Sequence, residues 1–248
     1  MMQLHNDILI EFKKHVLSAY PAEACGVMVA GKYIPCKNIH ETPQKAFIID
    51  PKDIIMAQKE GKIEAIFHSH PYDVNDISVH ENGNDPKWPS VKDQEQWMKG
   101  NEPWVIVSTD GGGISQPVIM DEANPTPLLG REFVWGVTDC FNLVRDYFKE
   151  QCGITLRNRP RRWWWWNEGD NLFEADFEEW GFTRISPEEA DINDVCFFKS
   201  DSAVINHLGI ISGQNEMMQQ GLGSLSRISR FDKYKRHVAF YARYTGIK

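Results

Sequence analysis

The sequence contains no apolar run near the roughly 20 residues that a membrane-spanning helix needs. Basic residues are fewer than acidic ones. The chain has 27 lysines and arginines and 35 aspartates and glutamates, which gives a formal net charge of -8. Nucleic-acid-binding surfaces are normally basic, so this balance argues against a nucleic-acid partner. The N-terminal segment lacks the basic start, apolar stretch and small-residue cleavage site of a signal peptide. We therefore expect neither membrane insertion nor signal-directed export.

Cysteine is scarce and scattered, at positions 25, 36, 140, 152 and 196. No CxxC pair occurs, which disfavours a structural zinc site built from cysteines. The odd number of cysteines, without a secretion signal, predicts reduced thiols and leaves room for a reactive one. Apolar residues at 42% and charged residues at 25% are otherwise ordinary for a globular protein.

One segment without helical or strand periodicity, residues 121–131, holds two prolines and a glycine and is predicted to be a linker. It separates a first domain, residues 1–120, from a second, residues 132–248. The spacing of apolar residues predicts helices over 4–18, 91–99 and 139–151, and strands over 24–30, 63–67, 104–108, 195–198, 208–211 and 238–243.

Two histidines, His68 and His70, follow an apolar strand in the first domain. Alternate residues of a strand point to the same face, so both imidazoles can reach one metal ion. A catalytic zinc normally has three protein ligands and a water, and a carboxylate is expected as the third ligand. Asp93 is favoured because it would be fixed at the start of a helix, and Glu81 is the alternative. Both follow a Ser-x-x-acid pattern that also describes an ordinary capping box, more strongly for Glu81.

The letters PAEACG before a strand, HSHP at the end of the next and WPSxxD before a helix resemble the JAB/MPN (JAMM) metalloprotease family. The resemblance covers about residues 5–120 and implies a mixed-sheet α/β domain. It implies that zinc is held by the two histidines and Asp93, with Glu23 as the general base and Ser90 as an oxyanion stabiliser. Zinc lowers the pKa of its water toward ~7, and a nearby carboxylate completes the deprotonation. The stretch 72–87 is a long insertion relative to the family pattern.

Cys140 stands at the predicted start of a helix that Thr138 or Asp139 can cap. Unpaired backbone N–H groups and the helix dipole favour negative charge there, so a thiolate is expected.

A thiolate nucleophile needs a histidine partner, which His207 supplies at the start of an apolar strand. A third residue should orient the imidazole. Gln219 on the following strand is the first choice and Gln220 the second, because alternation lets only one of them face inward.

The letters FVWGVTDCFNLV followed by an HLGI strand resemble the NlpC family of papain-like cysteine peptidases over about residues 131–245. The resemblance implies a papain-like α+β domain that cuts the stem peptides of peptidoglycan. Phe141 and Asn142 replace the usual serine and glycine after the nucleophile, and Phe133 replaces the usual tyrosine.

Four consecutive indoles cannot all enter one core. Either alternate rings are buried beneath the helix of Cys140, or one or two line a substrate groove or a partner interface. They are Trp163, Trp164, Trp165 and Trp166.

A JAMM domain followed by an NlpC domain resembles the tail tip assembly proteins of lambda-like phages. That resemblance implies other phage tail proteins as partners, synthesis in a host cytoplasm and a place at the virion tail tip. The alternative is an assembly scaffold or plug whose two catalytic sets are partly vestigial.

Overall fold

The computed structural model describes residues 2, 4–75 and 85–246. The chain forms two compact units, Met1–Pro125 and Thr126–Lys248. The alternative metal ligand Glu81 lies outside the described residues. Within the described part of the chain, no helix is both long and apolar enough to cross a membrane.

The first unit combines helices and strands around one mixed sheet. In chain order its elements are α1 (Asn6–Ala19), β1 (Cys25–Val29), β2 (Lys32–Cys36), α2 (Pro51–Glu60), β3 (Ile63–Pro71), α3 (Val91–Trp97), β4 (Trp104–Thr109) and β5 (Val118–Met120). The strand order is β2-β1-β3-β4-β5. Neighbouring strands are antiparallel except for β3 and β4, which run parallel.

Strand β1 is buried on both faces, and its alternate residues enter two different cores. Met28 packs in one core with Phe12 of α1. Val27 and Val29 pack in the other with Ala57 of α2. Successive side chains of a strand point to opposite faces, so the sheet has a helix-covered core on each side. This double burial explains why β1 is one unbroken apolar run.

The second unit is built on a six-stranded sheet in which every pair is antiparallel. Its elements are α4 (Cys140–Cys152), α5 (Leu172–Asp176), β6 (Phe182–Ile185), β7 (Val195–Phe198), β8 (His207–Gly213), β9 (Glu216–Gln219), β10 (Arg227–Arg230) and β11 (Val238–Tyr244). The strand order is β10-β9-β8-β7-β11-β6. Two units that each combine helices with one sheet confirm the predicted mixed fold class.

Helix α4 packs against β8 and ends at Gly153, which adopts the left-handed conformation with φ 68°. Its inward face buries Leu143, Val144 and Phe148. The backbone N–H of Leu208, in β8, donates a hydrogen bond to the sulfur of Cys140. The first residue of the helix therefore lies beside the first residues of the strand.

Two candidate active sites

The end of β3 brings two imidazoles and a carboxylate together. The Nε2 atoms of His68 and His70 lie 3.0 Å apart. Asp93 Oδ1 is 3.4 Å from His68 Nε2, and Asp93 Oδ2 is 3.2 Å from His70 Nε2. One donor atom from each residue therefore lies within 4.8 Å of the others. Two imidazole nitrogens and one carboxylate oxygen form a donor set that catalytic zinc takes, so the residues present fit the ion.

Asp93 also belongs to a capping box at the start of α3. The N–H of Ser90 donates to Asp93 Oδ2 over 2.7 Å, and the N–H of Asp93 donates to Ser90 Oγ over 3.2 Å. The capping carboxylate of Asp93 is thus the same group that lies beside the two imidazoles. The Ser90 hydroxyl only accepts in this box, so its own proton can still be donated to a substrate oxygen.

Both imidazoles are held by their surroundings. His70 Nδ1 lies 2.8 Å from the carbonyl oxygen of Pro86, so an N–H at that position leaves Nε2 as the lone-pair donor. The His68 ring stacks on Phe47 at 4.5 Å and meets the edge of Trp104 at 5.4 Å. Burial lowers the pKa of His68, which favours the neutral form that a metal requires.

Glu23 lies two residues before the start of β1. The β1–β3 register pairs Cys25 with His68, and continued by two residues it sets Glu23 opposite His70. Its backbone is fixed by a 2.7 Å hydrogen bond from its N–H to the Pro43 carbonyl. Burial raises the pKa of Glu23 to about 7; the charge of His70 opposes the shift and that of Asp93 adds to it. A carboxyl group that titrates near neutrality suits a general base.

In the second unit, Cys140 is the first residue of α4 and Asp139 is its cap. Asp139 Oδ1 accepts the N–H of Asn142 over 3.0 Å, and Oδ2 accepts the N–H of Gly136 over 2.8 Å. Thr138, the other predicted cap, instead donates its hydroxyl to the carbonyl of Glu132. Between the two candidates, the cap is therefore Asp139.

Arg161, which was not among the residues predicted for the site, neutralises this buried cap. Its guanidinium donates to Asp139 and Asn142, each over 2.5 Å. It also lies 4.7 Å from the ring centroid of Phe141 and 5.3 Å from that of Trp135. Phe141 and Asn142, which depart from the NlpC pattern, are thus both contacts of this arginine. A buried aspartate requires a cation, which is the signal that could have found it.

The expected thiolate at the helix start is not favoured in this structure. Cys140 is only 4% exposed. Burial raises the pKa of its thiol to about 12, with a further contribution from the charge of Asp139. The hydrogen bond from Leu208 and the charge of Arg161 act in the opposite direction but are outweighed. Desolvation therefore exceeds the effect of the helix terminus.

His207 is oriented by Gln219 rather than by Gln220. His207 Nε2 lies 3.1 Å from Gln219 Oε1, and Gln219 Nε2 donates to Ser229 Oγ over 2.9 Å. Gln220 turns away and donates to the carbonyl of Ser224. With Nε2–H held by an amide oxygen, Nδ1 is the ring nitrogen that can accept a proton. Burial lowers the pKa of His207, so the imidazole is neutral at pH 7.

Comparison with known proteins shows that the chain matches two family models, one after the other. The model of prokaryotic homologs of the JAB domain matches residues 5–119, and that of the NlpC/P60 family matches residues 130–243. The tail tip assembly protein K of Escherichia phage N15 is 31% identical over 221 residues, covering 86% of this chain and 84% of that protein. The tail tip assembly protein K of Escherichia phage lambda is 31% identical over 191 residues, covering 77% of this chain and 86% of that protein.

The chain belongs to the tail tip assembly protein K family. The resemblance found in the sequence is thereby confirmed, and so is the pairing of a JAB-like with an NlpC/P60 domain. The JAB-like half is also similar to a probable TtuB-protein conjugate cleaving protease of Thermus thermophilus. That protein is 30% identical over 113 residues, covering 42% of this chain and 68% of the relative.

In this member of the tail tip family, the tryptophan run does not bury alternate rings, which was one of the two alternatives that the sequence left open. Trp165 is fully buried and packs against Phe173 at 5.1 Å, whereas Trp163, Trp164 and Trp166 are half-buried. Strand alternation does not apply, because Trp164 has a positive φ of 69° and a 3-10 helix starts at Trp165. Only one of the four indoles belongs to the core.

Proposed function

We propose that this tail tip assembly protein carries two peptidase sites. The first is a zinc-dependent peptidase or isopeptidase site, and the second is a cysteine endopeptidase site that cuts peptidoglycan stem peptides. The observation that carries the proposal is the convergence of His68, His70 and Asp93 beside the buried carboxyl of Glu23. The family membership supports a place at the virion tail tip, with other tail proteins as partners.

In the first site, His68, His70 and Asp93 would hold zinc. Bound zinc would supply Lewis acidity toward a scissile carbonyl and an attacking water. Glu23 takes a proton from that water at its carboxylate and returns it to the leaving amine. Ser90 donates its hydroxyl proton in a hydrogen bond to the developing oxyanion. Burial of Glu23 keeps its basicity near neutrality, where both transfers are feasible.

In the second site, a resting pair of neutral thiol and neutral imidazole couples proton transfer to attack. The sulfur of Cys140 bonds to the stem-peptide carbonyl carbon as its proton moves to His207 Nδ1. The C–N bond then breaks, and the leaving amine takes that proton. Water next attacks the thioester, giving one proton through His207 to the departing sulfur. Gln219 holds the imidazole in the tautomer that both steps need.

The first test measures the zinc content of the purified native protein by intact mass spectrometry. We expect one zinc in the wild type and none in Asp93→Ala, because a catalytic site loses affinity when one of three ligands is removed. Asp85→Ala is the matched control and should retain the metal. Zinc retained in Asp93→Ala would contradict the ligand assignment and move attention to Glu81.

The second test follows the cleavage of soluble stem peptides by mass spectrometry. Cys140→Ala should abolish the cleavage without loss of thermal stability, because the sulfur is the proposed nucleophile. Cys152→Ala, at the other end of α4, is the control thiol and should stay active. Full activity in Cys140→Ala would show that the nucleophile is misassigned.

A scaffold or plug role for the second unit is the other candidate function. It is favoured by the burial of Cys140 and by the pKa of about 12 of its thiol. Alkylation of the folded protein separates the two candidates. Modification of Cys140 that depends on His207 supports the peptidase, whereas an inert Cys140 and absent zinc support the scaffold.

A further inference from the structure

Three indoles outside the core form one continuous surface, which we name the tryptophan platform: Trp163, Trp164 and Trp166. Their ring centroids lie 5.5 Å apart for Trp163 and Trp164, 5.4 Å for Trp164 and Trp166, and 5.0 Å for Trp163 and Trp166. Trp163 also meets the edges of Phe133 and Trp135, at 6.5 and 5.1 Å. The platform is therefore a packed aromatic layer at the surface of the second unit.

The backbone holds this layer at some cost in strain. Trp164 has φ 69° and ψ 9°, a left-handed conformation that a bulky residue rarely adopts. The turn sends Trp165 into the core and keeps its two neighbours at the surface. Strained backbone of this kind persists where the surroundings fix it, and it often marks a functional position.

Buried contacts connect the platform with the start of the helix that carries Cys140. Trp135, whose ring contacts Trp163 and Trp166, donates its indole N–H to the carbonyl of Arg161 over 3.0 Å. Arg161 in turn binds Asp139, the cap of the helix that begins at Cys140. A ligand on the platform is thus tied through a short chain of contacts to the start of α4.

The charges beside the platform favour no ionic ligand. The exposed acids Glu168 and Asp170 are both paired with Arg162, so they do not favour a cation. The charged rim does not favour an anion either, because the exposed Arg162 is paired with both Glu168 and Asp170. The remaining class of ligand is neutral and polar with an apolar face.

The platform is also small for a protein partner. A whole indole carries about 250 Å² of surface, so three half-buried ones expose at most about 400 Å². A stable protein interface needs about 800 Å² from each partner. A pyranose ring fits these limits better, because one face of the ring presents C–H groups while hydroxyls lie around its edge. Indoles offer an apolar face and an N–H donor to such a ligand.

We propose that the tryptophan platform binds the sugar rings of the glycan strand that carries the stem peptides, next to Cys140. This inference rests on the proposed function of the cysteine site, since it supplies the glycan part of the same substrate. Sugar held on the platform would bring the attached stem peptide toward the start of α4.

The test uses the full chain with Cys140→Ala, so that substrate is bound but not cut. The probe is a soluble glycan strand from which the stem peptides have been removed enzymatically, titrated by calorimetry. Adding Trp164→Gly deletes the central indole and relieves the left-handed strain, because glycine adopts positive φ readily. We expect binding to weaken about tenfold or more, as for tryptophan anchors in other interfaces, with an unchanged or raised Tm. Trp166→Ala should act in the same direction.

Leu222→Ala with Leu225→Ala is the control, because it removes exposed apolar surface elsewhere in the same unit. Unchanged binding in both tryptophan variants, or no binding of the bare glycan by the parent, would overturn the platform. The proposed function is read separately, by cleavage of free stem peptides with Cys140 intact. If the protein with Cys140 intact does not cleave free stem peptides, the proposed peptidase function is contradicted. The glycan titration remains valid in that case.

Discussion

Asp93 both caps a helix and faces the two imidazoles, although its Ser-x-x-acid pattern presents capping and metal binding as alternatives. As the third residue of α3 it completes a capping box with Ser90, and its two oxygens also face His68 and His70. Burial opposes its ionisation, but the charges and hydrogen bonds of the two histidines hold its pKa well below the usual range. The cap fixes the carboxylate before any metal arrives, which is the kind of outer support that metal ligands require.

Gln219 and Gln220 provide a matched pair for the second site. Gln219→Ala should lower kcat for stem-peptide cleavage by about a hundredfold, because a misplaced catalytic group commonly costs that much. KM should change little, since the amide contacts His207 and Ser229 rather than substrate. Steady-state kinetics of purified variants provide the measurement.

Gln220→Ala is the control, because this amide donates to the nearby Ser224 carbonyl and not to His207. Its kcat should stay close to that of the wild type. A larger loss in Gln220→Ala than in Gln219→Ala would mean that the imidazole is oriented differently during catalysis.

At the scale of elements, strands that are buried on both faces were the most predictable. The strand predicted over 195–198 has the observed bounds, and those over 24–30 and 104–108 differ by one residue at one or both ends. Their long apolar runs reflect burial in continuous cores. The helix that carries Cys140 was predicted within one residue at each end, because Asp139 caps it.

Elements with little burial went unpredicted. Helix α2 buries only Ala57, so it has almost no apolar period, although Asp50 followed by Pro51 is a helix-start signal. Strand β10 is an edge strand with two arginines and no buried residue. Arg161 was not predicted for a related reason, because its role depends on an ion pair with Asp139, which lies 22 positions away in the sequence. The pattern of apolar residues in a sequence indicates local periodicity, but it does not indicate which distant residues pair.

Substitution of two adjacent arginines tests whether Arg161 stabilises the start of α4. Arg161→Met leaves the carboxylate of Asp139 buried without its cation, which typically costs about 3–5 kcal/mol. Arg162→Met removes ion pairs in which all side chains are about half exposed, and such pairs contribute about 1 kcal/mol or less. Urea unfolding of the two variants should therefore differ sharply. Equal stabilities would show that Arg161 does not hold the helix start.

At the scale of the whole molecule, each unit has its own sheet and its own buried cores. The proposed zinc ligands all belong to the first unit, and the proposed Cys140, His207 and Gln219 set to the second. A ligand stabilises the folded unit that binds it. Calorimetry of the full chain, with and without a zinc chelator, can therefore assign stability unit by unit.

We expect two thermal transitions, of which the chelator moves only one. Zinc at a thousandfold excess over its dissociation constant stabilises the state that binds it by about 4 kcal/mol, so its removal should lower that Tm by roughly 15 °C. The other transition is identified by Arg161→Met, which should shift it while leaving the chelator-sensitive one in place. In Asp93→Ala the chelator should have no effect. If the chelator moves the Arg161-sensitive transition, or moves the Tm of Asp93→Ala, the metal does not act through the ligands at the end of β3.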